Sequence, residues 1–292
     1  MFQKMYADYW CKAINDSKDS KTLWRRLNVL LQLLGAVISP FAATEFASFL
    51  DGKIAAIRRS TAAAGQPTVD ARDVSAFNSF GTAVTANDVA ASLRRAACKQ
   101  CELDPAPTWL IKQCSDVLSP VIAAVINCSF STATFPACHK HASVKPLLKK
   151  PSSDPFDLKS YRPVSNLTFI SKFLEHFAVK CFHEHASEHS LFSVHQSAYR
   201  PRHFTETAVV SILDDIFREV DSGKVCALVL LDFSAAFNTV DHSILLTVLK
   251  DRFGVQGSVF DSFRSYLTGR TQSVSSSTER SEPTELTCGV PQ

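Results

Sequence analysis

Hydrophobic residues recur at two different periods along this 292-residue chain, and the change of period marks its elements. Spacings of three and four predict helices. Phe46, Phe49, Leu50, Ile54 and Ile57 follow that spacing, with Thr44 as N-cap and Arg58-Arg59 in the last turn. Leu110, Cys114, Val117, Val121 and Val125 form one stripe over 108–128, which predicts a long helix bent at Pro120. A further helix from about Ser171 carries Phe173, Phe177 and Cys181 four residues apart. The sharpest pattern spans 205–222. Thr205 caps it, Val209, Ile212, Leu213, Ile216, Phe217 and Val220 make its apolar face, and Gly223 ends it. His242 to Phe253 is again helical, with Ile244, Leu245, Val248 and Leu249 inward and Gly254 as terminator. The most apolar stretch, Leu27 to Ala43, is interrupted by Asn28, Gln32 and Pro40 and is shorter than the ~20 residues a membrane span needs; it reads as a core helix and a turn.

One segment breaks the helical period. Val225 to Leu231 is a continuous apolar run of β-forming residues, which predicts a strand over 225–233 built to be covered on both faces. It ends on a single carboxylate, Asp232, followed by small residues and Phe237. A carboxylate at the end of a buried strand costs free energy unless it meets a cation. Metal-dependent phosphoryl transfer needs such a group held at a sheet edge. Residues 143–168 are extended and rich in turns, and 60–75 read as a linker. There is no internal repeat, and no low-complexity tract beyond Ser275-Ser276-Ser277.

Composition narrows the class. A hydrophobic content of 46% is that of a globular chain, and a net charge of +3 excludes a polycation. The basic groups are local: Lys140, Lys145, Lys149, Lys150, Lys159 and Arg162 stand against Asp154 and Asp157, which suits a phosphate-rich partner or a solvated loop. Nine cysteines without framework spacing, and no secretory leader at the start, point to reduced thiols inside the cell, in nucleus or cytoplasm. Cys98-Lys99-Gln100-Cys101 lacks the second ligand pair that zinc requires. His176, His183, His185 and His189, among Glu175, Glu184 and Glu188, read as a polar helix face.

Several motifs, in order, carry a resemblance. They are Leu103-Asp104-Pro105-Ala106-Pro107-Thr108, Phe135-Pro136, the run from Ala142 to Pro151, and the run from Ser160 to Leu167. Gln196-Ser197-Ala198-Tyr199-Arg200-Pro201, Thr205-Glu206-Thr207-Ala208, the Asp232 block, Ser265-Tyr266-Leu267-Thr268-Gly269-Arg270 and Gly289-Val290-Pro291-Gln292 follow. Together they resemble the reverse transcriptase region of non-LTR (LINE-type) retrotransposons, over roughly residues 100 to 292.

The resemblance implies an α/β (α+β) polymerase fold shaped like a right hand. A helical connector would occupy 1–100, fingers 101–223, and an incomplete palm 224–292. It implies RNA-directed DNA synthesis on an RNA template from a DNA primer, with deoxynucleoside triphosphates and two Mg²⁺ ions. It places Asp232 and the carbonyl of Phe233 at the metal, and Lys150, Arg162, Phe237 and Gln292 at the nucleotide. Lys149, Arg200 and Arg202 fall on nucleic acid. Phe237 would exclude a 2′-hydroxyl by clash. Asn238 and Phe204 depart from the family, where an aspartate and a serine are usual. The paired aspartates that complete the family's metal site are not among these residues, so the chain reads as a truncated, inactive copy. The alternative is a non-catalytic nucleic-acid-binding or interaction module on the same fold. A hydrolase built on Asp232 and His242 is disfavoured, because there is no Gly-x-Ser-x-Gly.

Overall fold

The computed structural model describes Cys11 and residues 14–16, 40–65, 67–69, 71–98, 101–276 and 279–291. Most of the Leu27–Ala43 stretch, Lys99 and Gln100 of the Cys-x-x-Cys run, and Gln292 lie outside them. Eight helices and four strands are used below: α1 (Ala43–Thr61), α2 (Ala86–Arg95), α3 (Thr108–Gln113), α4 (Ser115–Ser131), β1 (His141–Leu148), β2 (Tyr161–Asn166), α5 (Phe169–Glu188), α6 (Thr205–Asp221), α7 (His242–Phe253), α8 (Gly257–Leu267), β3 (Thr271–Val274) and β4 (Thr284–Glu285). The mixture of helices and a small sheet is α+β.

The sheet has the order β2-β1-β3-β4. β1 and β2 form an antiparallel hairpin in which Leu148 faces Tyr161 and Leu147 faces Arg162. β1 is central because β3 pairs with it in parallel on its other edge, His141 with Thr271 through Val144 with Val274. Ala142, Ser143 and Val144 are buried accordingly. α1 covers this sheet: its Ala43, Phe46 and Leu50 pack on Val144, Tyr161 and Val274. The Phe46 and Tyr161 rings meet edge to face, 5.6 Å apart. A larger core joins α2, α4 and α5 through Val89, Leu93, Ile122, Ile126, Phe173 and Phe177. A third cluster sets Phe77 on Val255 and Val259, beside Phe182 and Phe253.

Several motifs of the resemblance serve the scaffold. Asp104 accepts the Phe169 N–H at 2.7 Å and so holds the first turn of α5. Ser265 accepts the Phe135 N–H at 2.9 Å. Tyr266 donates to the Glu175 carboxylate at 3.0 Å. Burial pushes the Glu175 carboxyl up, against the hydrogen bond from Tyr266 and the charge of Arg270; burial likewise pushes the Tyr266 hydroxyl up. Arg270 is fully buried, with its guanidinium 4.6 Å from the Tyr266 ring and 5.7 Å from the Phe135 ring. Its Nε and Nη2 have no hydrogen-bond partner among the described residues, so the two ring faces carry its charge.

Some sequence expectations are corrected. α1 has Ala42 at its N-cap, and Thr44 lies in its first turn. The helix expected over 108–128 is two, broken at Cys114, and Pro120 is accommodated inside α4. The buried face of α4 is Ser119, Ile122, Ala123, Ile126 and Ser129, while Val117 and Val121 face solvent. Two stripes at helical spacing ran side by side there, and the one with small residues lets α4 approach α2 closely. Phe204, not Thr205, is the N-cap of α6; its N–H is accepted by Thr207 Oγ1 at 3.1 Å. His185 departs from the polar face expected for it: it is buried, its ring stacks on Phe77 at 4.8 Å, and its Nε2 donates to the Phe253 carbonyl at 2.9 Å.

The largest correction concerns 205–233. No residue of α6 is buried, so Val209, Ile212, Leu213, Phe217 and Val220 are exposed. Residues 225–233 run without a paired neighbour, and Val225 is 99% exposed. A strand exists only through hydrogen bonds to a partner, and no described residue supplies one. Among the described residues, no helix is long and apolar enough to cross a membrane.

Candidate nucleotide site

The hairpin and the Asp232 block converge on one concave site. The β1–β2 connection is a tightly bonded turn. Lys149 N–H donates to the Ser160 carbonyl at 2.9 Å, Ser153 N–H to the Lys150 carbonyl at 3.0 Å, and Phe156 N–H to Asp154 at 2.8 Å. Asp157 accepts the Lys159 N–H at 2.9 Å, and the Tyr161 hydroxyl donates to the Pro155 carbonyl at 2.9 Å. Pro, Asp and Ser favour such turns, so the sequence folds back here and returns Arg162 beside the first strand. The Lys149 ammonium donates to the Lys159 carbonyl at 2.7 Å, which leaves two of its three donors to face outward.

Across from this hairpin, Ala235 takes a left-handed turn at φ 53° and leads into a short 3₁₀ turn, Ala236–Asn238. The Gly-Val-Pro run fastens that turn. Val290 N–H donates to the Phe237 carbonyl and Gly289 N–H to the Val240 carbonyl, both at 2.8 Å. His242 Nε2 donates to the Gly289 carbonyl at 2.7 Å. Gly289 has φ 82°, and a Cβ there would stand 2.7 Å from the Asn238 carbonyl oxygen, so only glycine permits this approach. Asp241 then caps α7 by accepting the N–H groups of Ser243 at 3.0 Å and Ile244 at 3.2 Å. The Ser243 hydroxyl, the Ile244 amide and Arg58 together hold its carboxyl down at about 2.

Between the two lies a cavity of about 510 Å³ whose walls include Lys149, Arg162, Asp232, Phe233, Tyr161 and Asn238. Four of the residues singled out from sequence (Lys149, Arg162, Asp232 and Phe233) therefore share one site. Other expected site residues do not line it. Lys150 is exposed on the turn. Phe237 is not among the lining residues, and its ring stands 6.3 Å from Tyr199. The Arg200 guanidinium is committed to its own loop, donating to the carbonyls of Ser193 at 2.9 Å and Gln196 at 3.1 Å. Arg202 is exposed on an adjoining left-handed turn, φ 64°. Leu50, Lys53 and Ile54 of α1 complete the wall, and sequence reasoning did not anticipate them. The signal was present in the spacing: Lys53 stands three residues beyond Leu50, on the flank of the buried stripe.

Among the described residues, no three His, Cys, Asp or Glu side chains cluster as a metal site. The Asp232 carboxylate and the Phe233 carbonyl are hard oxygen donors. They suit one magnesium ion that takes its remaining positions from water and phosphate, and they fall short of two ions.

With this geometry in view, the comparisons place the chain. Residues 148–292 match the family model described as reverse transcriptase (RNA-dependent DNA polymerase). Over these residues the chain is homologous to that family. Over 171 residues, 59% of the chain, it is 28% identical to the probable RNA-directed DNA polymerase from transposon BS of Drosophila melanogaster. It is 28% identical over the same length to the corresponding protein from transposon X-element of that species, and 26% identical to the RNA-directed DNA polymerase from mobile element jockey of Drosophila funebris. The chain spans about 18% of the length of these curated relatives.

Proposed function

We propose that the cavity receives the triphosphate of an incoming deoxynucleotide, and that the chain carries the nucleotide-binding part of an RNA-directed DNA polymerase of a non-LTR retrotransposon. The observation that carries the reading is the meeting of Lys149 and Arg162 with Asp232 and Phe233 around one space of about 510 Å³. Lysine offers a compact charge and arginine a planar fork, a complementary pair for phosphate oxygens. Asp232 and the Phe233 carbonyl would hold Mg²⁺, which neutralises phosphate charge when bound. Phe237, on the 3₁₀ turn that follows Asp232, would bear on the 2′ position of the sugar. Gln292, outside the described residues, would contact the nucleotide by the family resemblance alone. Lys150, Arg200 and Arg202, outside the cavity, would meet template and primer phosphates. In hand terms, the β1–β2 hairpin belongs to the fingers and the Asp232 block to the palm.

The donor count sets the expected activity. A polypeptide of these 292 residues binds dATP in Mg²⁺ yet does not extend a primed template, because one carboxylate cannot hold two ions. Primer extension that depended on Asp232 would overturn that part of the reading. Lys149→Ala and Arg162→Ala each weaken dATP binding by about 10-fold or more, the scale of a charge-assisted hydrogen bond. Unchanged affinity in both would remove the assignment of the cavity.

A further inference from the structure

We infer that Lys53, on the helix that precedes the polymerase-like region, is a third phosphate-binding cation of the same cavity; this rests on the nucleotide reading above. Ala43, Phe46 and Leu50 are buried on the sheet at spacings of three and four. The stripe continues to Ile54 and Ile57 in the next turn, with Lys53 exposed on its flank. There the helix runs past the sheet edge, and its inward face becomes cavity wall: Leu50, Lys53 and Ile54 line the space together with Arg162 and Asp232. An exposed lysine thus stands beside the apolar stripe where the stripe meets the cavity. Its stem covers apolar wall while its ammonium reaches the open space.

The helix is held at both ends, so this placement is not that of a loose surface residue. At the start, Ala43 N–H donates to Glu279 Oε1 at 2.5 Å. At the end, Arg58 pairs with Asp241 at 3.1 Å, and Asp241 is the cap that follows the Asp232 block. α1 therefore bridges the hairpin side and the Asp232 side of the site. Electrostatics point to the occupant. Three cations, Lys53, Lys149 and Arg162, face one carboxylate, Asp232, across the cavity. Among the described residues, neither the Lys53 nor the Arg162 side chain has an ion-pair or hydrogen-bond partner. An excess of positive charge in a concave site concentrates a polyanion there. A triphosphate supplies three phosphoryl groups, enough for each cation to have its own.

The test compares dATP with deoxyadenosine on the full chain in Mg²⁺. Lys53→Ala is expected to weaken dATP binding about 5- to 10-fold, and Lys53→Glu further, while deoxyadenosine binding stays unchanged. Lys53→Arg should restore dATP binding to within about 2-fold of the original chain. Thermal unfolding of each variant should match the original, since the side chain is exposed. If Lys149→Ala and Arg162→Ala weaken dATP binding but Lys53→Ala and Lys53→Glu do not, the role of Lys53 is overturned and the nucleotide site stands. If none of these variants matters, or the original chain takes up no dATP, the nucleotide reading itself falls. Equal losses for dATP and deoxyadenosine would show Lys53 acting on the fold or the base, which also overturns the inference.

Discussion

Two helices of similar length make the most instructive contrast in the molecule. α5 has 20 residues and α6 has 17. α6 is the more sharply two-faced of the two by sequence, yet α5 buries Phe169, Phe173, Leu174 and Phe177 while α6 buries nothing. Amphipathic spacing, a cap and a C-terminal glycine are enough to specify a helix. They do not supply the surface that the apolar face will cover. α5 is flanked in space by α4 and α8, whereas α6 and the extended 225–233 segment after it stand away from every core cluster of the described residues. Order in this chain follows the availability of a partner more closely than the strength of the local pattern.

The largest expected effect tests that contrast directly. Phe173→Ala or Phe177→Ala in α5 should cost about 3–5 kcal/mol in denaturant unfolding, the usual penalty for emptying a packed aromatic site. Leu213→Ala on the apolar face of α6 should change stability by less than about 0.5 kcal/mol, because the residue is exposed and belongs to no core cluster of the described residues. Equal losses at the two helices would mean that α6 has a covered face.

A smaller effect is expected where the loosely placed segment is tied down. The Asp232 block is fastened by the Gly-Val-Pro run, and Gly289 sits at φ 82° against the Asn238 carbonyl. Gly289→Ala should cost about 1–3 kcal/mol, the scale of enforced backbone strain, and should release the 235–240 turn first. Hydrogen exchange that quickens there, while the β1–β2 hairpin stays protected, would sharpen the distinction between the two regions. Unchanged exchange in 235–240 would show that the turn stands without this tie.

The smallest effect lies at the joint between the regions. Asp241→Ala should cost about 1 kcal/mol through the lost α7 cap. Arg58→Ala should cost less than about 1 kcal/mol, as expected for a partly exposed ion pair. The pH dependence has a definite sign. The Asp241 carboxyl is held down at about 2 in the folded chain, below its ordinary value of 3.8. Its contribution is therefore complete above pH 3.8 and is lost as pH falls towards 2. Loss of stability between pH 4 and pH 2 that is the same in Asp241→Ala would contradict the assignment.

What the sequence made legible follows the same division. α7 was bounded correctly because both of its stops are local: Asp241 caps one end, and Gly254 at φ 68° closes the other. The β1–β2 hairpin was readable as extended arms around a turn for the same reason. β3 and β4 were not readable. Thr-Gln-Ser-Val and Thr-Glu have no apolar alternation; β3 exists through pairing with β1, 130 residues away, and β4 through pairing with β3. The reverse error arose at 225–233, where a strong β pattern has no partner. Of the residues that line the cavity, Lys149, Arg162, Asp232 and Phe233 were singled out from motifs, but that Lys149 rather than Lys150 lines it depends on the twist of a tight turn. Lys53 was hidden because α1 was expected to belong to a connector outside the polymerase region.

The most direct test of the central claim is to find which residues touch the terminal phosphate. A dATP analogue carrying a photoreactive aryl azide on its γ-phosphate, bound in Mg²⁺ and illuminated, should attach to peptides containing Lys149, Arg162 or Lys53, and unlabelled dATP should compete it away. Attachment confined to peptides outside these segments, such as α5 or the exposed face of α6, would contradict the account.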